Sequence, residues 1–497
     1  METQNSFSAV EAKFCEMAQF LQSDASKMRD LSGIEAFLLH DGRELLRQLL
    51  LAHLAERGPG DIGMKVMGAD KVERRRTRPR SKAIKTMFGK VQITRFAYSA
   101  EGVTSLFPLD AMLNISRLNI SYTLQHYLVL ELINNSFNES LQAIKRWTGV
   151  NLTKSQAKSV VLEAAQDFQL FYQQRCLAEA ERAQSLPLVV LTSDGKGVMM
   201  KWQDLRKPTQ QRALRKYALD PLSIDTPRNR YSKRMATVAS VYEVERYPRT
   251  PQDIVTAFFP HEQPTESGKE RPVPSAKRLW ASLRKSSKTV ITEIFHEALQ
   301  RDPDRKKAWV VCVDGDLNQI TPFQRLAKQF DIPVTIVCDI IHVLEYLWKA
   351  GKVLHADATV SEWVKEKLQQ ILAGNSQHVA AGMRRSATCR HVKKSARKPL
   401  DNCARYLLNH APYLVYHEYL SQGYPIATGI IEGACRCLIK DRMEITGARW
   451  SLKGAEALLQ LRAIKLSGDL EAYWKFYERN QYQNYARLYE NPSVLQS

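Results

Sequence analysis

Two aspartates follow the same kind of sequence. LPLVVLTS (residues 186–193) leads into Asp194-Gly195, and AWVVCV (residues 308–313) leads into Asp314-Gly315-Asp316. A short apolar, β-branched run reads as a buried strand, so each carboxylate is expected where a strand leaves its sheet. A third acid, Glu432, lies in TGIIEGACRCLIKDRMEITGARW (residues 428–450), where Glu432, Arg436 and Lys440 recur every four residues and would share one helical face. Oxygen ligands without thiolate suit magnesium or manganese. A pair of such ions clamps the attacking and leaving oxygens of a phosphoryl displacement. The acids are separated by 120 and 118 residues, so only a fold could gather them. Asp316, Asp441 and Glu444 are alternative carboxylates, and Asp-Gly-Asp by itself equally suits a turn. A calcium loop is excluded by its missing later ligands. The 8 cysteines form no paired C-x-x-C set, and Cys389, His391, Cys403 and His410 are irregularly spaced for zinc.

The chain of 497 residues carries 72 Lys+Arg against 52 Asp+Glu, a net charge of +20. Such an excess attracts polyanions, nucleic acid above all. RRRTRPRSK (residues 74–82) supplies Arg74, Arg75, Arg76, Arg78 and Arg80 as candidate phosphate contacts, with a solvated arm as the alternative. Ser136 to Glu139 and Thr153 to Gln156 are two capping-box patterns separated by Gly149. They predict a helix-turn-helix whose second helix offers Lys154, Ser155, Gln156 and Lys158 to DNA, or else an ordinary helical hairpin. Arg436, Lys440 and Arg449 add positive charge beside Glu432.

These positions call for a multidomain α/β protein. Expected are a helical segment (1–62), a basic strand-rich module (63–122) and a helix-turn-helix region (123–182). A core follows (183–350), with a strand at residues 235–244, a basic insertion without clear period (201–234), a proline-containing loop (248–274) and a long helix over residues 276–299. A helical, basic insertion (351–424), a region around Glu432 that completes the core (425–470) and a polar, aromatic tail (471–497) end the chain. The start of the sequence lacks a basic-then-apolar leader, and no run of about 18 apolar residues suggests a membrane span. A cytoplasmic, nucleoid-associated protein is expected.

VVLTSDGKGVMM, KRMATVASVYEV, VVCVDGDLNQI, CDIIHVLEYLW and GIIEGACRCLIKDRMEITGARWSLKGAEALLQLRAI occur in that order. Together they resemble the ISKra-type insertion-sequence transposases, a family related to the Mutator-like DDE enzymes with an RNase H-like core. The resemblance spans roughly residues 64 to 476. It implies that Asp194 and Asp314 are the catalytic aspartates and Glu432 the catalytic glutamate, holding Mg2+ or Mn2+. It also implies a helical insertion before the glutamate. Cys338, Asp339 and His342 match the C/D-x-x-H element of Mutator-like enzymes, with His342 read as supporting the site or touching DNA. Many relatives carry a cysteine-rich zinc motif near the N-terminus, which this chain lacks. The implied activity is binding of terminal inverted repeats, metal-dependent cleavage and strand transfer by a homodimer or higher oligomer on DNA. The alternatives are a catalytically inactive transposase-derived DNA-binding protein and another RNase H-like nuclease.

Overall fold

The computed structural model describes residues 6–175, 186–219, 233–259 and 270–495. The chain divides into two compact units, residues 1–173 with 469–497 and residues 174–468. The expected boundary at 182/183 lies outside the described residues, as do parts of the basic insertion (220–232) and of the proline-containing loop (260–269). No described helix is long and apolar enough to cross a membrane.

In the first unit, α1 (Ser8–Gln22) and α2 (Leu31–Glu56) form the expected helical segment, with the Asp30 side chain capping α2 through Gly33 N–H. An antiparallel sheet follows: β1 (Lys65–Met67), β2 (Glu73–Thr86) and β3 (Gly89–Ser99). The arginine-rich string is therefore a strand and not an arm. After α3 (Tyr122–Leu132), both capping boxes are formed, opening α4 (Phe137–Thr148) and α5 (Lys154–Ala164). Gly149 ends α4 at φ 71, a left-handed turn that glycine adopts without steric cost. Residues 471–497 are not a tail. A helix runs over Leu470–Ala486, and its Tyr473, Trp474 and Tyr477, spaced at helical intervals, are buried in this unit. Tyr473 Oη donates to the Ala164 carbonyl at 2.6 Å.

The second unit is built on a five-stranded mixed sheet: β4 (Leu188–Met199), β5 (Lys233–Val244), β6 (Ser275–Ser282), β7 (Ala308–Val313) and β8 (Val334–Cys338). Their order is β6-β5-β4-β7-β8, antiparallel through β4 and parallel from β4 to β8. Leu188 to Leu191 and Val310, Val311 and Val313 are fully buried. Central strands covered on both faces require such continuous apolar runs, and each buried aliphatic side chain contributes about 1.5–3 kcal/mol. Helix α6 (Ser287–Arg301) precedes β7, and α7 (Leu317–Phe330) is the crossover from β7 to β8. Next come α8 (Ile340–Leu354), α9 (Asp357–Leu372), α10 (Ser376–Cys389) and α11 (Lys394–Asn409), the last three making up most of the expected helical insertion. The short α12 (Gly429–Ala434) carries Glu432, and α13 (Leu452–Leu466) packs on β6.

Two expectations about strands need correction. The segment from residue 276 is not the start of a long helix. Leu279, Trp280 and Ala281 belong to β6 and pair with β5. The carboxylate of Glu456 takes the Ser282 hydroxyl at 2.6 Å and the Leu283 N–H at 2.7 Å, which ends the strand, and the Ser286 side chain then caps α6. An apolar triplet suits either periodicity, so pairing decided. Likewise β4 does not stop at Ser193. Its parallel partner β7 ends, but β5 keeps pairing as far as Met199, so Asp194 sits within the strand opposite Val238.

Candidate metal centre

The parallel ladder aligns three aspartates. Thr192 pairs with Cys312, and Val313 pairs with Cys338. Carrying each register onward puts Asp194, Asp314 and Asp339 at one level of three adjacent strands, at the carboxyl ends of β7 and β8. Asp339 N–H closes the row by donating to the Val313 carbonyl at 2.8 Å. Ligand chemistry in open α/β sheets gathers at that end.

The turn after β7 is pinned from the helical insertion. Tyr406 Oη donates to the Asp314 carbonyl at 2.9 Å, and His410 Nε2 lies 2.7 Å from the Gly315 carbonyl. Gly315 has φ 96, and a Cβ there would stand 2.9 Å from Tyr406 Oη, so both conformation and space require glycine. Asp314 Oδ1 accepts the Asp316 N–H at 3.0 Å. Asp316, the alternative acid, is engaged elsewhere: its Oδ1 caps α7 through Asn318 N–H at 2.9 Å.

Glu432 comes from the other side of the sequence motif, and its helix is not one regular α-helix. Cys435–Lys440 is a π-helical turn. Its wider winding breaks the four-residue repeat expected of Glu432, Arg436 and Lys440. The cause is buried Arg462, which donates to the Leu438 carbonyl at 2.9 Å and also to the Cys437 carbonyl. The same turn aims Cys435 Sγ at Asp194 Oδ2, 3.2 Å away. Glu432, Asp339 and His342 then present ligand atoms within 4.8 Å of one another. Asp339 is completely buried in its side chain. It accepts from the Thr428 hydroxyl and from Ile341 N–H at 2.8 Å, and lies 3.4 Å from His342 Nδ1.

The electrostatics bind the wider set together. Burial, then the charges of Asp339, Asp194 and Glu345, raise the Glu432 carboxyl above its ordinary range, against the opposing pull of His342. The hydrogen bond to Asp339 raises the His342 imidazole, and the fields of Asp339, Asp314 and Glu345 add to it against desolvation. Burial pushes the Cys338 thiol up to about 12, so it stays neutral. Carboxylates crowded this closely are the environment that a divalent cation relieves. The donors fit one: carboxylate oxygens for a hard ion, with one imidazole that favours manganese over magnesium. A carboxylate on one imidazole nitrogen, leaving the other for metal, is a common way to orient a histidine ligand. The group whose ligand atoms lie together is thus Asp339, His342 and Glu432; Asp314 and Asp194 stand level with Asp339 on the neighbouring strands, and Asp194 reaches the glutamate segment through Cys435. His342 was expected beside the metal and not on it.

The residues expected on DNA have divided fates. Arg74 requires correction: it is buried, with its guanidinium on Asp70 at 2.6 Å and on the Thr104 carbonyl at 3.0 Å, because it holds the β1–β2 turn. Arg76 pairs with Asp61 and covers the Phe96 ring. Gln156 serves the α5 capping box and accepts Lys85 Nζ at 3.1 Å. Arg75, Arg78, Arg80, Lys154, Ser155, Lys158, Lys440 and Arg449 are exposed. Arg436 is exposed beside Asp441, at 3.6 Å, and Glu444 lies 3.7 Å from Lys233. Cys403 is buried in the core and His410 holds Gly315, so neither belongs to a zinc site. Sequence reasoning gave no role to Thr428, Tyr406 or Arg462 and weighed His410 only in an irregular Cys/His set; Thr428 and Arg462 lie within the stretches quoted around Glu432.

No protein-family model matches this chain, and no curated protein matches it.

Proposed function

We propose that the chain is a DDE transposase of the ISKra type, with an RNase H-like core formed by β4 to β8. The observation that carries this reading is the alignment of Asp194, Asp314 and Asp339 on three adjacent strands, with Glu432 of α12 beside Asp339. The strand order, antiparallel on one side of β4 and parallel on the other, is what such a core calls for. The charge of +20 supports a DNA substrate. That substrate is the terminal inverted repeats of the element and a target duplex, handled in the cytoplasm on the nucleoid. Two ends must be held together, so a homodimer or larger assembly forms on DNA.

Asp194, Asp314, Asp339, His342 and Glu432 would hold Mg2+ or Mn2+. A bound divalent cation supplies Lewis-acid stabilisation to the attacking and leaving oxygens of an in-line displacement. The chain's own groups do the rest. Cys435 fixes Asp194, Tyr406 and His410 fix the Asp314 turn, and Thr428 with His342 orients Asp339. Exposed Lys440 and Arg449 on the glutamate side offer charge to the DNA backbone.

The test uses the full chain, Mn2+ and duplexes carrying the sequences that flank its gene. Expected are nicks at the inverted-repeat ends and joining of the freed 3′ hydroxyl to a second duplex, both lost in Asp194→Asn. Specific binding without nicking would instead identify a catalytically inactive descendant. Cutting of branched DNA without joining would identify a resolving nuclease.

A further inference from the structure

Beyond β2's irregularity between Arg76 and Pro79, the β2–β3 ribbon alternates cleanly. Ile84, Val91 and Ile93 face the core, and Lys82 and Arg95 on the same side reach Asp110. The opposite face carries the cross-strand pairs Ser81–Thr94 and Ala83–Gln92, all four exposed, with Lys85–Lys90 at the hairpin end. This face is flat and polar, and two of its four central side chains are very small. Among the described residues no ion pair engages Lys90, which is exposed on this face; Arg80, paired with Arg95, belongs to the core side instead. Lys85 Nζ donates to the Asn151 carbonyl at 2.7 Å and to Gln156, which sets the start of α5 against the hairpin end. Lys154, Ser155 and Lys158, in the first turns of that helix, are exposed.

We infer that this face enters the DNA major groove and reads bases through Gln92 and Thr94, while Lys90 at the hairpin end and the exposed lysines at the start of α5 grip the flanking phosphates. The inference rests on the DNA-binding reading above and adds a second reading element beside α5. A major groove about 12 Å wide admits a two-stranded ribbon whose strands stand about 4.8 Å apart. Ser81 and Ala83 let the backbone come close. Gln92, whose Nε2 donates to the Ser81 hydroxyl across the ribbon, would exchange that bond for the paired acceptor and donor of adenine, and Thr94 offers a methyl and a hydroxyl to thymine. The charges at the ribbon's ends complement phosphate, and the deep, narrow major groove of duplex RNA would exclude the face.

The test selects binding sites for the full chain from a random 30-base-pair duplex library. Wild type should enrich a defined motif and prefer duplex DNA to duplex RNA of the same sequence. The Gln92→Ala/Thr94→Ala variant, with unchanged melting temperature, should lose preference at one or two adjacent base pairs and bind the wild-type motif about tenfold more weakly. Lys90→Ala and Lys158→Ala should instead weaken all duplexes alike and each lower the salt slope by about one. An unchanged motif in the double variant overturns this inference and leaves the transposase reading standing, as does equal affinity for duplex RNA. Failure of wild type to enrich any sequence overturns both. Normal site selection by a chain that neither nicks nor joins overturns the enzyme reading alone.

Discussion

Asp194 and Asp314 stand level on neighbouring parallel strands, because the register that pairs Leu188 with Ala308 and Thr192 with Cys312 keeps the same offset to the acids. Residues level in a parallel pair share a face of the sheet, so the two carboxylates open toward the same side. Asp194→Asn or Glu432→Gln should therefore remove cleavage while leaving DNA affinity within about twofold. Lewis-acid stabilisation is worth several kcal/mol, so the rate should fall on the order of a thousandfold. Nicking assays and equilibrium binding on the same preparations check this. Loss of binding along with cleavage would mean that the acids support the fold instead.

The position of His342 makes a prediction about metal. With Nδ1 toward Asp339, its remaining nitrogen faces outward, so His342→Gln should weaken Mn2+ binding about 10–100-fold and Mg2+ binding less. The Glu432 carboxyl and the His342 imidazole are both raised, so each takes up its proton at a higher pH than it would free in water, within the acid range. A metal must displace those protons, and Mn2+ affinity should fall as pH falls through that range. Titration of free Mn2+ by electron paramagnetic resonance at several pH values reads both effects. Affinity independent of pH and of His342 would remove these two groups from the site.

The parts of this site legible in the sequence were those whose signal is local. An apolar run followed by Asp-Gly marks Asp194 and Asp314, and serine or threonine three residues before glutamate or glutamine marks the starts of α4 and α5. The parts that were not legible depend on register or distant packing. Asp339 joins the row only because β8 pairs with β7 at Val313–Cys338. The π turn around Cys435 exists because Arg462, in a separate helix, satisfies its carbonyls, and nothing near Cys435 announces that partner. Arg74 resembled its neighbours in an arginine string, and only the β1–β2 turn gave it Asp70 as a partner.

Arg74 accordingly predicts a stability effect without a DNA effect. Arg74→Ala strips the Thr104 carbonyl of its partner and should cost about 1–3 kcal/mol in the first unit, with the salt dependence of DNA binding unchanged. Its guanidinium holds the Asp70 carboxyl down to about 2, below the ordinary 3.8. A depressed carboxyl stabilises the folded state above the unfolded value and loses that contribution as pH falls toward the folded one. The pair should thus support wild type fully above about pH 5 and fade between about pH 4 and 2. Acid unfolding followed in wild type and Asp70→Asn checks the sign: the difference between them should shrink over that interval.

Arg462 predicts how far the π turn matters. Its guanidinium is buried, and burial lowers its pKa to about 10, yet it remains charged at neutral pH and bound to two carbonyls. Arg462→Leu leaves both carbonyls and the turn without donors, which should lower the melting temperature and let α12 rewind toward regular helix. Cys435 would then lose Asp194, and cleavage should fall more than DNA affinity. Arg462→Lys, which has one donor group in place of a planar fork, should recover stability in part and cleavage hardly at all. Equal recovery of both would mean that the turn's geometry is irrelevant to the acids.

Tyr406 links the helical insertion to the reaction end of the sheet, and its effect should be separable from folding. The ring stacks on Tyr346 at 4.5 Å and packs tilted against His410 at 4.3 Å, contacts that Tyr406→Phe retains. The variant loses the hydroxyl's hydrogen bond to the Asp314 carbonyl and its contact with the Cys338 thiol. A positioning role predicts a fall in kcat of about tenfold with KM and melting temperature nearly unchanged, since one neutral hydrogen bond is worth about 0.5–1.5 kcal/mol. Gly315→Ala tests the same turn more harshly. Its Cβ would meet Tyr406 Oη at 2.9 Å in a left-handed conformation, so the Asp314 turn must shift. In that variant cleavage should be abolished. Combining Gly315→Ala with Tyr406→Phe relieves the clash at the hydroxyl but leaves the backbone strain, so activity should return only in part. Recovery to the level of Tyr406→Phe alone would show that crowding at the hydroxyl made glycine necessary, and no recovery would assign the requirement to φ together with the remaining contacts at Tyr406 Cε2 (3.1 Å) and His410 Nε2 (3.2 Å).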